Sequence, residues 1–135
     1  MKILIVEDDF TNRKIMQKIL SAYGDCDMAF DGTEAIEAFE LALEEGKPYD
    51  LICMDIMMPN MDGQEALSEI RRLEKNAEIP TKDEVKVIMT TALDDPKNVV
   101  SSLKGGAAAY IVKPISKQKL FDEISKLGLF ASTGV

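Results

Sequence analysis

Asp50-Leu51-Ile52-Cys53-Met54-Asp55-Ile56-Met57-Met58-Pro59 is the stretch on which the reading of this sequence turns. Four apolar residues run unbroken between two aspartates, the composition of a central strand covered on both faces. Gly46-Lys47-Pro48 breaks the segment before it, and Met58-Pro59-Asn60-Met61-Asp62-Gly63 after it is dense in turn formers. Three more segments share this design of an apolar run closed by polar residues. They are Ile3-Leu4-Ile5-Val6 before Glu7-Asp8-Asp9, Val85-Lys86-Val87-Ile88-Met89 before Thr90-Thr91, and Tyr110-Ile111-Val112 before Lys113. As parallel strands they would bring all four polar clusters to one edge of a sheet, where open α/β sheets bind their ligands.

The intervening segments read as helices. Ile15, Met16, Ile19 and Leu20 recur at helical spacing up to Ala22-Tyr23, with Gly24 as a stop. Asp25-Cys26-Asp27-Met28-Ala29-Phe30 alternates as a half-buried or edge strand does, and Asp31-Gly32-Thr33-Glu34 has the spacing of a capping box. Ile36, Phe39, Ala42 and Leu43 give a second helix its apolar face, and Ala66, Leu67, Ile70 and Leu73 a third. Asn76 to Glu84 is a polar surface connection. A fourth helix opens at Asp94-Asp95-Pro96 and closes at Gly105-Gly106. The fifth, from about Ser116 to Leu127, turns Leu120, Phe121, Ile124 and Leu127 inward. Five strands alternating with five helices predict an α/β fold, a (βα)5 doubly wound parallel sheet with right-handed crossovers. Residues 1–128 form the expected domain and 129–135 a short tail.

At 135 residues, 46% apolar and 30% charged, the chain has the balance of one globular domain with a proper core. A formal charge of −8 argues against binding nucleic acid through its phosphates and favours a protein or a cation as the charged partner. No stretch approaches the length of a membrane span and no cleavage-site pattern follows Met1-Lys2, so a cytoplasmic protein without membrane insertion is expected. Cys26 and Cys53 have no metal-type spacing and are expected to be reduced and buried. The absence of histidine excludes His-based zinc sites, a histidine general base and storage of a phosphoryl group on histidine. A phosphohistidine would have to come from a partner.

Glu7, Asp8 and Asp55 would place three carboxylates close together, which is unfavourable unless a proton or a cation offsets the repulsion. Mg2+ suits such a set, because it is usually held by one or two carboxylates, waters and phosphate oxygens. Asp55 has a second possible role as a nucleophile that forms an acyl phosphate. Lys113 and the Thr91 hydroxyl are then the groups available to neutralise and orient the transferred oxygens. Taken singly, each residue has an ordinary reading: an acidic pair is most often a solvated loop or a helix cap, and a Lys-Pro is a turn. Their order, each behind a separate strand, is what raises them to a site.

These segments resemble the receiver domain of response regulators, the phosphoacceptor module of two-component signalling. The resemblance rests on Ile3 to Asp9, Asp50 to Pro59, Met61-Asp62-Gly63, Met89-Thr90-Thr91-Ala92 and Tyr110-Ile111-Val112-Lys113-Pro114, and it covers nearly the whole chain. It implies the flavodoxin-like strand order 2-1-3-4-5, an order that the general rule for doubly wound sheets already illustrates with a protein of this family. It makes Asp55 the phosphorylated residue, Asp8 a direct Mg2+ ligand, Glu7 a ligand through water and Met57 a ligand through its backbone carbonyl. Thr91 becomes the switch hydroxyl, since Ala92 follows it, Tyr110 the switch aromatic, and Lys113 the phosphoryl contact ahead of a cis peptide. The implied partners are a histidine kinase or histidine phosphotransfer protein and a downstream target reached through the surface of helix four, strand five and helix five.

Three other readings compete. A haloacid-dehalogenase-type phosphohydrolase wants a second aspartate where Met57 stands. A flavodoxin-like binding protein wants a Ser, Thr and Gly-rich loop where Glu7-Asp8-Asp9 stands. A receiver-like module that is never phosphorylated would not need the full set of site residues. With no output module expected beside the receiver, the role is either a diffusible chemotaxis-type regulator or a relay intermediate. Met57 and Leu93, two residues beyond Asp55 and Thr91, are apolar, which predicts slow self-hydrolysis of the phosphorylated form because no polar group orients the attacking water.

Overall fold

A computed structural model of the chain describes residues 1–92 and 96–129. The expected alternation is present: β1 (Lys2–Val6), α1 (Phe10–Leu20), β2 (Asp25–Ala29), α2 (Gly32–Glu44), β3 (Leu51–Asp55), α3 (Gly63–Asn76), β4 (Lys86–Thr91), α4 (Pro96–Lys104), β5 (Ala109–Val112) and α5 (Lys117–Lys126). One 3-10 turn, Thr81–Asp83, interrupts the connection before β4. All five strands are parallel, in the order β2-β1-β3-β4-β5. The chain folds as the flavodoxin-like doubly wound sheet.

Each strand of the sheet's centre feeds two cores. Leu4, Val6, Ile52, Met54, Val87 and Met89 pack on one face with Phe39 of α2 and Leu67 and Ile70 of α3. Ile3, Ile5, Leu51, Cys53 and Ile88 pack on the other with Met16 and Leu20 of α1 and Leu120 and Ile124 of α5. Every residue of β3 is buried, as its unbroken apolar run requires. β2 lies at the sheet edge and is mostly exposed, which explains its alternating composition.

Several expectations are corrected. The inward stripe of α1 is Arg13, Met16 and Leu20, and Ile15 is exposed, because the spacing of three then four residues starts one turn earlier than the apolar residues suggest. Phe121 of α5 is half exposed and points away from the core that holds Leu120 and Ile124. Cys26, on the edge strand, is partly exposed, whereas Cys53 is fully buried; both are free thiols. Asp31 caps α2 as expected, but the Glu34 carboxylate reaches back to the Phe30 N–H at 2.6 Å instead of closing the box on Asp31. The complete capping box belongs to Asp62 and Glu65 at the start of α3. Leu93 and the acidic start of the fourth helix, Asp94-Asp95, lie outside the described residues, as does the tail from residue 130. No helix among the described residues is long and apolar enough to cross a membrane.

Candidate functional site

The three acids after β1 are sorted by their local geometry. Glu7 continues the strand, donates its N–H to the Ala29 carbonyl at 3.1 Å and buries its side chain completely. Asp9 caps α1, its carboxylate accepting the Asn12 N–H at 2.9 Å. Asp8 lies between them with an exposed side chain. Asp9 is therefore engaged by the helix, and Glu7 and Asp8 remain for chemistry.

Asp55 ends β3, buried, with its Oδ1 accepting the Met57 N–H at 3.3 Å. The chain then folds back tightly. Ile56 donates to the Thr90 carbonyl at 2.9 Å, and Gly63 donates to the Ile56 carbonyl at 2.8 Å. A Cβ on Gly63 would stand 2.3 Å from the Asp55 carbonyl oxygen, so glycine is required for α3 to start this close beneath the aspartate. Met57 itself is exposed at the mouth of the site.

Lys113 follows β5 and precedes a cis peptide to Pro114. Its side chain crosses the sheet edge, and Nζ lies 2.8 Å from Glu7 Oε1 and 3.1 Å from Asp55 Oδ2. Carboxylate oxygens of Glu7, Asp8 and Asp55 all lie within 4.8 Å of one another. Three formal negative charges thus meet one ammonium. Burial raises Glu7 above the ordinary carboxylate range; the Lys113 hydrogen bond opposes this and Asp55 adds to it. Asp8 is raised as well, by desolvation and then by Glu7. Burial pulls the Lys113 ammonium down, but hydrogen bonds and attraction from Glu7 and Asp55 outweigh it and the net shift is upward. An all-oxygen cluster with surplus negative charge, partly buried and open on the Asp8 side, fits a hard divalent cation.

Residues 3–125 match the response regulator receiver domain. The chain belongs to this family. It is 36% identical over 128 residues to the chemotaxis protein CheY of Treponema pallidum, covering 93% of this chain and 81% of that protein. Among solved structures, the CheX–CheY complex of Borrelia burgdorferi with BeF3 and Mg2+ superposes with a TM-score of 0.80 at 29% identity, covering 95% of this chain and 89% of the other. The receiver domain of Ssk1, solved with the histidine phosphotransfer protein Ypd1 of Saccharomyces cerevisiae, superposes with a TM-score of 0.82 at 29% identity, covering 95% and 88%. Several curated relatives are much longer, and the chain spans 47% of one and 6% of another.

The two threonines that end β4 divide between its faces. Thr91 is buried on the same face as Met89, whose register partner on β5 is the half-buried Tyr110, so Thr91 and Tyr110 share one side of the sheet. Thr90 pairs with Asp55 and shares the other side. The structure thus brings Glu7, Asp8, Asp55 and Lys113 together, with Met57 adjoining through its backbone, and sets Thr91 and Tyr110 on the opposite pleat.

Arg13 was missed by the sequence reading. It is buried, its Nη1 donates to the Glu7 carbonyl at 2.8 Å, and its guanidinium lies 4.3 Å from the Phe30 ring centroid and 5.6 Å from that of Phe10. It fixes the backbone that presents Glu7 and Asp8. The signal was available in the 13, 16, 20 spacing of α1, where a charged residue occupies an inward position.

Proposed function

We propose that this receiver accepts a phosphoryl group on Asp55 from a phosphohistidine on a histidine kinase or phosphotransfer protein, with Mg2+ bound by the neighbouring acids. The observation that carries this reading is the convergence of the Glu7, Asp8 and Asp55 carboxylates on one point with the Lys113 ammonium against two of them. An Asp55 carboxylate oxygen attacks phosphorus, the P–O bond forms, the P–N bond to the donor imidazole breaks, and the imidazole nitrogen leaves with the electron pair. Asp8 and Asp55 would hold the cation directly, Glu7 through water and Met57 through its carbonyl; a cation held there would neutralise charge on the phosphoryl oxygens. Lys113 supplies the second positive group and is already aimed at Asp55. The absence of histidine from the chain fits a donor supplied in trans.

Thr91 and Tyr110 are read as the switch. A new doubly charged group at Asp55 draws the Thr91 hydroxyl toward it, and the space on that face of β4 lets Tyr110 turn inward, reshaping the surface of α4, β5 and α5 for a target protein. The domain is read as residues 1–128, and its contacts as protein contacts, without direct binding of nucleic acid. The relatives include a CheY in complex with CheX and a receiver in complex with a phosphotransfer protein, which supports both a chemotaxis-type and a relay role.

The test is intact mass after incubation with acetyl phosphate and Mg2+. A gain of about +80 Da, the mass added by one acyl phosphate, that requires Mg2+ and is absent in Asp55→Asn is expected. No gain on the folded wild-type protein would favour a binding module that works without phosphorylation.

A further inference from the structure

We propose that the open edge of β2, together with the exposed face of α2 beside it, docks an extended basic segment of a partner protein, which adds a strand to the sheet. The charge of the chain is concentrated there. Of its 24 acids and 16 bases, nine acids and one base lie within residues 25–50, and the fifteen of each that remain cancel, so this segment carries the whole formal charge of −8. The paired bases Arg71, Arg72, Lys113 and Lys126 find their acids in other segments. β2 ends the sheet at the edge opposite β5, away from the surface of α4, β5 and α5. Asp25 donates its N–H to Met1 and Ala29 accepts from Glu7, so residues 25, 27 and 29 turn their backbone groups toward β1. By the alternation of a strand, Cys26 and Met28 turn theirs outward, an open row on which another strand can pair.

Exposed apolar side chains flank that row. Met28, 43% exposed, stands on the α1 side of the sheet, where its register partner Ile5 packs, and Leu41 of α2 is 55% exposed on the other side. Between β2 and α2 a hollow of about 330 Å3 takes apolar lining from Ala38, Leu41 and Tyr49 and charge from Asp27 and Glu45. Glu37 and Glu44, both exposed, neighbour Leu41 by helical spacing. Lys2 also borders the hollow, but its ammonium is taken up by the Lys47 carbonyl at 2.7 Å and lies over the Tyr49 ring. The side chains of an added strand alternate between the two faces, so one set meets Met28 and the other meets the hollow. A second copy of this chain is a poor occupant, because its edge carries the same acids and like charges placed opposite one another destabilise a strand pair. A basic strand is favoured by those same acids. Its lysine or arginine stems lie along Leu41 with their charges on Asp27 and Glu45, its apolar side chains sit beside Met28, and its backbone pairs with Cys26 and Met28.

The test titrates the whole protein with a short end-blocked peptide of alternating valine and lysine, and with two controls, one carrying proline in place of valine and one carrying glutamate in place of lysine. Amide chemical shifts read binding, and amide hydrogen exchange reads strand pairing. The valine-lysine peptide is expected to saturate one site, with shifts centred on residues 26–30 and 37–45. With the peptide at about ten times its Kd, the Cys26 and Met28 N–H groups should exchange roughly tenfold more slowly, while the Asp27 N–H, turned toward β1, changes little. Both control peptides should bind about tenfold more weakly or worse, the proline peptide for want of N–H donors and the glutamate peptide by repulsion. Glu37→Lys combined with Glu45→Lys, both on the exposed face of the helix, should weaken the valine-lysine peptide about tenfold. Equal affinity for the proline peptide would reduce the surface to a charge effect and overturn the proposal. So would absence of binding, unchanged exchange at Cys26 and Met28, shifts centred elsewhere, or self-association of the protein alone through β2.

Discussion

Two buried clusters of charge sit at opposite ends of the same sheet, and they are completed differently. At the amino-terminal end, Glu74 of α3 is buried with Oε1 bonded to Arg71 Nη1 at 2.5 Å and Oε2 accepting the Val85 N–H at 2.7 Å. Arg71 Nη2 in turn donates to the Val85 carbonyl at 2.9 Å and the Gly106 carbonyl at 2.7 Å. One acid meets one base, and the remaining donors and acceptors are taken up by backbone at the entry to β4 and the turn before β5; of these groups, Arg71 Nε alone lacks a partner. At the carboxyl-terminal end, three acids share one ammonium among the described residues. The first cluster is a closed clamp that joins α3 to two strands. The second is left with surplus charge, and its carboxylates Glu7 and Asp8 are pushed upward by burial first and by the neighbouring carboxylates after it. A set of like charges, two of the three buried, that the described residues do not balance is an arrangement a cationic ligand would complete.

Breaking the clamp should have the largest effect on stability. Arg71→Met leaves the Glu74 carboxylate buried and uncompensated and frees two backbone carbonyls, so urea denaturation should show a loss of about 3 kcal/mol or more, with no recovery on adding Mg2+. Lys113→Met removes the single ammonium of the other cluster. It should destabilise the metal-free protein by a smaller amount, about 2 kcal/mol given its partial exposure. Here Mg2+ should restore much of the loss, and phosphorylation by acetyl phosphate should be strongly slowed. Equal rescue of both variants by Mg2+ would erase the distinction between the clusters.

The pH dependence sharpens the same comparison. Glu7 has a folded value above its unfolded one, so its contribution to stability is fully present below about pH 4.5, the ordinary glutamate value, and is lost as pH rises through the raised folded value. Metal-free stability should therefore decline across that interval, and Mg2+ should oppose the decline by pairing with the carboxylates. Mg2+ affinity should fall as pH drops toward the acid range, since protons on Glu7 and Asp8 compete with the cation. Calorimetric titration at several pH values reads both effects, and an affinity that stays flat from neutral pH down to about pH 4, below the ordinary glutamate value, would contradict this reading. The smallest effect concerns Met57, exposed at the mouth of the site. Met57→Asn should shorten the lifetime of the phosphorylated form by a few-fold, by giving the attacking water a group to orient it.

The sheet and its order of elements were legible because β1, β3 and β4 are apolar runs with no competing helical period, and because Gly46-Lys47-Pro48 and the turn at 58–63 punctuate the chain on either side of β3. Glu7, Asp8, Asp55 and Lys113 were legible because each lies just beyond such a run. The order of the strands was not, since alternation alone does not say which neighbours pair; it followed from the resemblance. Arg13 and Glu74 were hidden for a common reason. Each is a charged residue at an inward helical position, and its burial depends on a backbone partner outside its own helix, the Glu7 carbonyl for one and the Val85 N–H for the other. Phe121 and Ile15 mislead in the opposite sense, as apolar residues on outward helical positions that pattern reading pulls toward the core. Ala92 singled out Thr91 through the resemblance, and the pleat sets Thr90 and Thr91 on different sides of the sheet.

The central claim is that the surplus of negative charge at Glu7, Asp8 and Asp55 exists to hold a divalent cation. The most direct test is a Mg2+ titration followed by amide chemical shifts in wild type, Asp8→Asn and Glu74→Gln. One saturable site is expected in wild type with shifts centred on residues 7–8 and 55–57, a loss of affinity of about tenfold or more in Asp8→Asn, and unchanged affinity in Glu74→Gln despite its lower stability. Equal affinity in wild type and Asp8→Asn, or shifts centred elsewhere, would contradict it.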